Sequence, residues 1–367
     1  MVLRIGMKVL VDNNGSLGNR SKTMSLRRDY SISRVINGGW QLAGGHGPID
    51  RSCAIEDFEK FFFAGVNTFD CADIYDGVET MLGEFVANIR KRYGDEIARQ
   101  IKIHTKFVPD FNELSTCDEI YVERIIDRSL SRLKVEQLHL VQFFWWDLSI
   151  GSPVTVMSSL KRLQEKGKIL HLGITNWDAA DVELFVDAGM EIVSAQVQYS
   201  VLDQRPKKNL IAWCEKNDAK LLCYGTLAGG FLNESWLGVP DPGFTFENRS
   251  LIKYRLIIDE FGGWGLFQNL LLNLEKCAKK HRCSISAIAT RYVLEQPQVA
   301  AAIIGSRSAD RLTDTLSVYD FELDSEDHAL IEIILNESKG PNGPVYGLES
   351  DREGRHGSIM KYNQSNL

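Results

Sequence analysis

Residues 101–144 read IKIHTKFVPDFNELSTCDEIYVERIIDRSLSRLKVEQLHLVQFF and contain a strand, a helix and a second strand in succession. The runs Ile101–Phe107 and Leu138–Phe144 are rich in β-branched and aromatic residues. Between them, Asp118–Leu133 repeats apolar residues mostly at three- and four-residue spacing, which predicts an amphipathic helix. Apolar strands separated by helices predict a buried parallel sheet.

The same alternation extends almost from end to end of the chain. Eight strands are predicted, at Ser33–Gly44, Asn67–Ala72, Ile101–Phe107, Leu138–Phe144, Ile169–Asn176, Ile192–Ser200, Lys220–Leu227 and Ala300–Ser306. Further helices are predicted at Val154–Lys166 and Ser325–Ser338. Eight strand–helix units fit a closed barrel better than an open sheet, so the predicted fold class is α/β, a (β/α)8 TIM barrel.

Three segments depart from this rhythm. Residues 1–30 carry six basic residues against two acidic ones and are predicted to be a disordered leader, with an organellar transit peptide as the alternative. Gly229–Asp259 is predicted to be a long loop after the seventh strand. The chain from residue 339 to 367 is predicted to be a separate tail, which leaves the barrel at residues 31–338.

The composition of the 367-residue chain is that of an ordinary globular protein, with 44% hydrophobic and 25% charged residues. A net charge of −7 without a basic stripe argues against a nucleic-acid partner. No apolar run approaches the ~20 residues of a membrane helix, so no membrane partner is expected. The 7 cysteines include no CxxC pair, which favours a reduced, cytoplasmic compartment. The oligomeric state stays open, and no metal site is expected.

Polar side chains stand at the ends of two predicted strands. Asp70 ends the strand NTFD, Tyr75 follows five residues later, and Lys106 ends the strand IKIHTK. A phenol is a weak acid at neutral pH, but a nearby ammonium favours the phenolate and a carboxylate fixes the ammonium. The three residues therefore make a sensible general-acid group. Taken singly, each has a simpler interpretation: a helix-capping Asp, a surface Tyr and a solvated Lys. Cys71 is interpreted as a small buried hydrophobe, with a redox role as the alternative.

Several further stretches resemble successive signatures of the aldo-keto reductase superfamily, in that family's order. They are GVNTFDCADIYDGVETMLGEF (65–85), IHTKF (103–107), KGKILHLGITNW (166–177), SAQVQYSVLD (194–203) and YGTLAGGFL (224–232). The resemblance implies that Asp70, Tyr75 and Lys106 are three members of a catalytic tetrad of Asp, Tyr, Lys and His. It also implies a C-terminal tail that folds over the barrel mouth.

The sequence departs from the family's pattern at the fourth member of the tetrad, the histidine. The family's histidine is expected in the stretch that reads VQFFWWD here, where Phe144 occupies its position. His139 lies five residues earlier, near the start of the strand, and is not expected to replace it. The missing donor predicts a rate lower by about 10²–10³-fold. Trp40, Phe144 and Trp145 are expected to line the substrate pocket.

The resemblance, and not a Rossmann fingerprint, also supplies the cofactor assignment, because no GxGxxG motif follows a strand. It implies that the nicotinamide amide is bound by Thr175, Asn176 and Gln196, and that the ring of Tyr224 stacks on the nicotinamide, with Trp40 near the cofactor. The small residues expected at the pyrophosphate are Leu227, Gly229 and Gly230. The residues expected on the adenosine side are Arg307, Arg311, Asp314 and Thr315. Two arginines that could meet a 2′-phosphate favour NADP(H). Ser235 stands where related proteins carry a phosphate-binding lysine.

The expected function is NADP(H)-dependent reduction of an aldehyde, ketone or quinone-like carbonyl, with Tyr75 as proton donor and a small-molecule substrate. The alternative is a non-catalytic NADP(H)-binding sensor or regulatory subunit. The loss of the tetrad histidine favours the alternative, and the intact Asp, Tyr and Lys favour the enzyme.

Overall fold

Eight parallel strands close into a barrel in the computed structural model of the protein, which describes residues 21–246 and 248–363. A hairpin of two further strands precedes the barrel. The strands are β1 (Thr23–Arg27), β2 (Tyr30–Ser33), β3 (Val35–Gly38), β4 (Thr68–Asp70), β5 (Lys102–Phe107), β6 (Leu138–Phe143), β7 (Ile169–Thr175), β8 (Ser194–Gln198), β9 (Lys220–Tyr224) and β10 (Val299–Gly305). Strands β3 to β10 follow one another around the barrel in sequence order, and β10 pairs with β3 to close it.

Helices cover the outside of the barrel and fill the connections. They are α1 (Arg51–Phe63), α2 (Val78–Tyr93), α3 (Asp95–Ala98), α4 (Glu119–Leu133), α5 (Pro153–Glu165), α6 (Ala179–Asp187), α7 (Leu210–Lys216), α8 (Arg249–Phe261), α9 (Trp264–His281), α10 (Ile285–Leu294), α11 (Leu312–Leu316), α12 (Ser325–Leu335) and α13 (Gly347–Ser350). The predicted (β/α)8 TIM barrel is confirmed, and each predicted strand overlaps an observed one.

Local sequence explains where the helices begin and which face they bury. Helix α4 begins after Asp118, whose carboxylate accepts a hydrogen bond from the backbone N–H of Tyr121 and satisfies one of the free donors of the first turn. Ser152 caps α5 in the same way, with Pro153 at its first position. The apolar stripe of α4 is buried against the barrel, as its spacing predicts.

The disordered leader was predicted to span residues 1–30, but residues 21–30 belong to the segment that forms the hairpin of β1 and β2. Strands β1 and β2 pair in antiparallel register, and Leu26, Tyr30 and Ile32 are buried. They pack with barrel residues such as Ile36 and Leu140 in one hydrophobic cluster. The assignment of residues 21–30 to a disordered segment is therefore wrong, since the barrel interior supplies a surface on which these apolar side chains are buried. Residues 1–20 lie outside the described residues.

The predicted long loop contains a helix. Helix α8 (Arg249–Phe261) begins after Asn248, whose side chain accepts a hydrogen bond from the backbone N–H of Leu251. Its apolar residues Ile257, Ile258 and Phe261 are buried, so this part of the connection is held to the molecule by hydrophobic packing. Helices α9 and α10 follow before the last strand.

The C-terminal tail lies over the mouth of the barrel, where the carboxyl ends of the strands meet. The backbone N–H of Phe111 donates to the carbonyl of Tyr362. Arg205, which follows β8, forms a fully buried ion pair with Glu349 of α13, with Nη1 and Oε2 3.0 Å apart. Within the described part of the chain, no helix combines the length and the apolarity needed to cross a bilayer.

Candidate active site

The predicted general-acid group is assembled at the mouth. Register pairs Asp70 of β4 with His104 of β5, so Lys106, two residues further on, emerges on the same face of the sheet. Lys106 Nζ donates to Asp70 Oδ2 at 2.6 Å and to the carbonyl of Cys71 at 2.7 Å. Both side chains are about 95% buried. The same ammonium lies 4.8 Å from the centroid of the Tyr75 ring, so the structure brings all three residues together.

Charge and burial set the protonation states of this group. Burial by itself disfavours the Lys106 ammonium, but Asp70 and then Tyr75 outweigh it and raise the pKa of Lys106 above its usual value. Burial raises the pKa of Tyr75, and Lys106 opposes that rise only in part. Lys106 therefore acts in the expected direction on the pKa of Tyr75, but burial has the larger effect and leaves that pKa above its ordinary value. Tyr75 is a protonated phenol at neutral pH, and the adjacent ammonium would stabilise its phenolate form.

Two buried glutamines hold Asp70 in place, and sequence reasoning missed one of them. Gln142 Nε2 donates to Asp70 Oδ1 at 3.1 Å, and Gln196 Nε2 donates to the same oxygen at 2.7 Å. Gln196 Nε2 also lies 2.9 Å from Gln142 Oε1. A polar residue inside the buried strand LHLVQF was the available signal for Gln142. Gln196 is also expected to bind a nicotinamide amide. Its hydrogen bond to Asp70 therefore links the expected cofactor side of the site to the predicted general-acid group.

A cavity of about 870 Å³ at the mouth has this group in its lining. Its lining includes the three general-acid residues, Phe144, and all of the residues expected from the resemblance to bind the cofactor: Trp40, Thr175, Asn176, Gln196, Tyr224, Leu227, Gly229, Gly230, Arg307, Arg311, Asp314 and Thr315. Residues from β4, β5, β7, β8, β9 and β10 or from the segments that follow them therefore meet around one space, as expected at the carboxyl ends of barrel strands.

Trp145 does not line this cavity, so the expectation for the substrate pocket is wrong at that position. Trp145 Nε1 donates to the carbonyls of Asp147 and Ile150, both at 3.0 Å, and its ring packs on Phe143. Trp146 lines the cavity instead, with its ring 4.7 Å from that of Phe144. The physical reason is the two-residue alternation of extended chain, which directs Gln142, Phe144 and Trp146 inward and the residues between them outward.

Helix α8 contributes cavity residues that the sequence did not reveal. Arg249, Ser250, Lys253 and Tyr254 lie one helical turn apart in two pairs and face the cavity. Lys253 Nζ lies 5.2 Å from the ring centroid of Tyr224 and 3.5 Å from Glu349 Oε1. Burial lowers the pKa of Lys253, and Glu349 opposes this effect.

The tail supplies the outer wall of the cavity through Tyr346, Ile359, Met360 and Lys361. His356 of the tail is buried, and its Nε2 lies 3.3 Å from Glu260 Oε1. It does not line the cavity. Ser235 is exposed and also lies outside the lining.

Several residues of the cavity lining have polar groups or backbone conformations that suit a dinucleotide. Thr226 is buried and lines it, and its hydroxyl has no hydrogen-bond partner among the described residues. Gly229 has a positive φ of 66°, which favours glycine, and a Cβ at this position would meet the ring of Tyr254, so the glycine lets α8 pack closely on this segment of the lining. Asn176 also has a positive φ, and its Oδ1 accepts a hydrogen bond from Tyr224 Oη at 2.8 Å, which holds that ring in position.

Cys71 is buried beside the general-acid group but outside the cavity lining. Its Sγ donates to the carbonyl of His104, and burial strongly raises the pKa of the thiol. A thiol in this state is unreactive, which favours packing over redox chemistry.

A family model described as "Aldo/keto reductase family" matches residues 34–336. The chain belongs to the aldo/keto reductase family. It is therefore an oxidoreductase of a family that uses nicotinamide cofactors and acts on small-molecule carbonyl compounds.

Other proteins of this kind match nearly the whole barrel. Aldo-keto reductase YhdN of Bacillus subtilis (strain 168) is 25% identical over 327 residues, which cover 88% of this chain and 96% of the relative. The NADH-specific methylglyoxal reductase of Escherichia coli (strain K12) is 22% identical and covers 83% and 94%. The solved structure of the glycerol dehydrogenase AKR11B4 from Gluconobacter oxydans has a TM-score of 0.72 at 23% identity, covering 88% of this chain and 98% of that one, and shares the fold.

Proposed function

We propose that this aldo-keto reductase reduces an aldehyde, ketone or quinone-like carbonyl to the alcohol with NADPH, and that Tyr75 is the proton donor. The observation that carries the proposal is the buried Lys106–Asp70 ion pair beside the ring of Tyr75, in the cavity of about 870 Å³ that all of the expected cofactor-binding residues line. An interaction scaffold would have no need to bury this pair next to a phenol.

The nicotinamide, when bound, supplies the hydride that is added to the carbonyl carbon. The chain supplies the proton: Tyr75 Oη donates it to the carbonyl oxygen as negative charge develops there. Lys106 lowers the energy of the resulting phenolate, since its ammonium stays charged beside Asp70. Gln142 and Gln196 hold Asp70, and thereby keep the ammonium directed at the phenol.

The cofactor assignment rests on which side chains line the two ends of the cavity. Tyr224, Thr175 and Asn176 lie toward the general-acid group and would hold the nicotinamide. Arg307 and Arg311 lie toward the segment after β10 and would meet the 2′-phosphate of NADP(H). Arg307 Nη2 already donates to the carbonyl of Pro48, which fixes its guanidinium at the rim of the cavity.

The substrate end of the cavity is aromatic. Trp40 packs on Tyr75 with ring centroids 5.1 Å apart, and Phe144, Trp146 and Tyr346 form the opposite wall. Such a wall favours flat or aromatic carbonyl compounds over small hydrophilic ones. Phe144 cannot donate a hydrogen bond to a carbonyl oxygen, so we expect slower turnover than a histidine at this position would give.

The first experiment is a fluorescence titration with NADPH, followed by a turnover assay with methylglyoxal, benzaldehyde, cyclohexanone and a benzoquinone. We expect NADPH binding and oxidation by at least one compound. The Tyr75→Phe variant should lose about 10²–10⁴-fold in kcat while binding NADPH nearly as before, because a general acid contributes on that scale.

Tyr93→Phe is the matched control, because Tyr93 is an exposed tyrosine on α2 whose hydroxyl contacts Glu59. Normal turnover by Tyr75→Phe would refute the assigned acid. Tight NADPH binding without turnover of any compound would favour a cofactor-dependent sensor instead.

A further inference from the structure

The C-terminal tail places a tyrosine at the substrate end of the cavity. Tyr346 lies directly before α13, and its carbonyl accepts a hydrogen bond from the backbone N–H of Ser350. Three residues after Tyr346, Glu349 is fully buried between Arg205 and Lys253. Because a buried, doubly paired carboxylate fixes this short helix, the ring of Tyr346 is held in one place over the mouth.

Tyr346 packs against Phe144. Their ring centroids are 5.7 Å apart at an angle of 84°, an edge-to-face contact, and both side chains line the cavity. The other aromatic neighbour of Phe144 is Trp146, whose Nε1 is already used in a hydrogen bond to the carbonyl of Pro109. Phe144 has no polar hydrogen, and that of Trp146 is already bonded to a carbonyl. Among these three side chains, Tyr346 therefore has the one polar hydrogen that is not bonded to a strong acceptor.

The hydroxyl of Tyr346 has a weak partner in the described part of the chain. Tyr346 Oη donates to Met360 Sδ at 3.8 Å, and a thioether sulfur is a poor acceptor. A carbonyl oxygen or an alkoxide would replace it readily, since a charged acceptor makes a shorter and stronger hydrogen bond. Lys253 Nζ lies 5.9 Å from the centroid of the same ring and places a positive charge beside the phenol.

The phenol of Tyr346 stays protonated at neutral pH. Burial raises its pKa, and the nearby Glu349, Tyr362 and Tyr75 raise it further. Tyr346 and Tyr75 line the same cavity, so the two phenols belong to one site. Tyr346 therefore meets the three requirements of a stabilising donor: it is protonated, it is fixed, and it lies near the proposed acid.

We propose that Tyr346 donates a second hydrogen bond to the substrate oxygen, beside the bond from Tyr75. This inference rests on the proposed function. Tyr346 keeps its own proton throughout: the nicotinamide supplies the hydride, Tyr75 supplies the proton, and Tyr346 stabilises the negative charge on oxygen between these events. The tail thus supplies the donor that the side chain of Phe144 lacks.

The test is Tyr346→Phe, with benzaldehyde as the substrate and NADPH saturating. We expect kcat to fall by at least ~10-fold with a smaller change in KM, because a donor that acts mainly on the transition state contributes about 10²–10³-fold. Tyr362→Phe is the matched control. Tyr362 also belongs to the tail and packs on Trp146, but its hydroxyl donates to the carbonyl of Gly357. A change in kcat below twofold in Tyr346→Phe would overturn the inference.

A second background separates donation from packing. In Phe144→His, an imidazole at the same wall offers its own donor, so turnover should rise and Tyr346→Phe should then cost less than ~3-fold. Equal losses in both backgrounds would mean that Tyr346 only supports the tail, and would also overturn the inference.

Failure of this inference and failure of the proposed function give different results. Normal turnover by Tyr75→Phe contradicts the proposed function. An inactive Tyr75→Phe with an unchanged Tyr346→Phe contradicts only the role of Tyr346. If the natural protein turns over none of the compounds, benzaldehyde affinity for the protein with NADP⁺, followed by tryptophan fluorescence, becomes the measurement. A loss of ~5-fold or more in Tyr346→Phe supports the hydrogen bond, and equal affinity overturns it.

Discussion

The ion pair of Asp70 and Lys106 is costly to bury, and its surroundings explain why it persists. Two charges withdrawn from water are stable only when their remaining hydrogen-bonding capacity is satisfied. Here Lys106 also donates to the carbonyl of Cys71, and Asp70 accepts from Gln142 and Gln196. This satisfied network holds an ammonium beside Tyr75, which is the position that the proposed role of Tyr75 as proton donor requires.

A single residue should also determine the cofactor preference: we expect Arg311 to discriminate between NADPH and NADH. Arg311 lies exposed at the rim of the cavity directly before α11. A hydrogen bond to a charged phosphate contributes about 1.5–3 kcal/mol. Arg311→Gln should therefore weaken NADPH binding by about 10–150-fold while the Kd for NADH stays within about twofold.

Isothermal titration with both cofactors measures this preference. The control is Arg282→Gln, since Arg282 directly follows α9 and lies outside the cavity lining. If Arg311→Gln weakens both cofactors equally, or neither, the assignment of the 2′-phosphate to this residue is wrong.

At the scale of elements, the hairpin β1–β2 and the tail lie at opposite ends of the barrel. The hairpin packs its buried side chains on the floor, near the first residues of the strands, whereas the tail covers the mouth. In barrels of this kind, residues at the floor contribute to stability, whereas residues at the mouth perform the chemistry. Substitutions in the two elements should therefore have separable effects.

Tyr30 tests this separation. Its hydroxyl shares a hydrogen bond with His104 Nε2 at 3.0 Å, and His104 Nδ1 has no partner among the described residues. Tyr30→Phe leaves a buried imidazole without its remaining partner, so the free energy of unfolding should fall by about 1–3 kcal/mol. Urea denaturation measures this loss, and kcat should remain within about twofold of the natural value.

The exposed Tyr93 again provides the comparison. Tyr93→Phe should change the free energy of unfolding by less than about 0.5 kcal/mol. A loss in Tyr30→Phe no larger than this would mean that the hairpin contributes little to stability. A large fall in kcat would mean that the floor and the mouth are coupled.

For the whole molecule, we expect stability to fall as the pH drops from about 6.5 to about 4. Burial is the first cause that lowers the pKa of His104 and of His171, and it lowers that of His139 to about 4. The unfolded chain takes up protons at these residues below about pH 6.5, whereas the folded protein does not. Each such histidine therefore removes up to about 1.4 kcal/mol per pH unit within this window.

Urea denaturation at intervals from pH 7.5 to 4.5 measures the slope. His139→Gln keeps a polar side chain that does not titrate here and should flatten the curve. A free energy of unfolding that is constant over this range would contradict the assignment. Below about pH 4.5, Glu349 adds a loss of the same sign, because Lys253 and Arg205 outweigh its burial and lower its pKa to about 2.

The sequence by itself determined the barrel and singled out the three residues that the structure brings together at its mouth. The alternation of apolar strands and amphipathic helices is a local pattern, and local hydrogen bonding and burial act directly on it. Asp70, Tyr75 and Lys106 were likewise visible, since each follows or ends a recognisable strand. The side-chain alternation beyond β6 was also present in the sequence, and applying it to Phe144 would have directed Trp146, not Trp145, into the cavity.

Only the tertiary structure decided which distant segments meet. The hairpin, α8 and the tail are separated from the general-acid residues along the chain, and no periodicity indicates where they pack. Their positions follow from surfaces that exist once the barrel has closed: the floor that buries Tyr30, the pairing of Arg205 with Glu349, and the wall at Phe144 that receives Tyr346. Long-range packing and buried charge pairing act between residues far apart in sequence. For that reason, although the family resemblance implied a tail over the mouth, the particular residues that α8 and the tail add to the cavity became visible only in the folded protein.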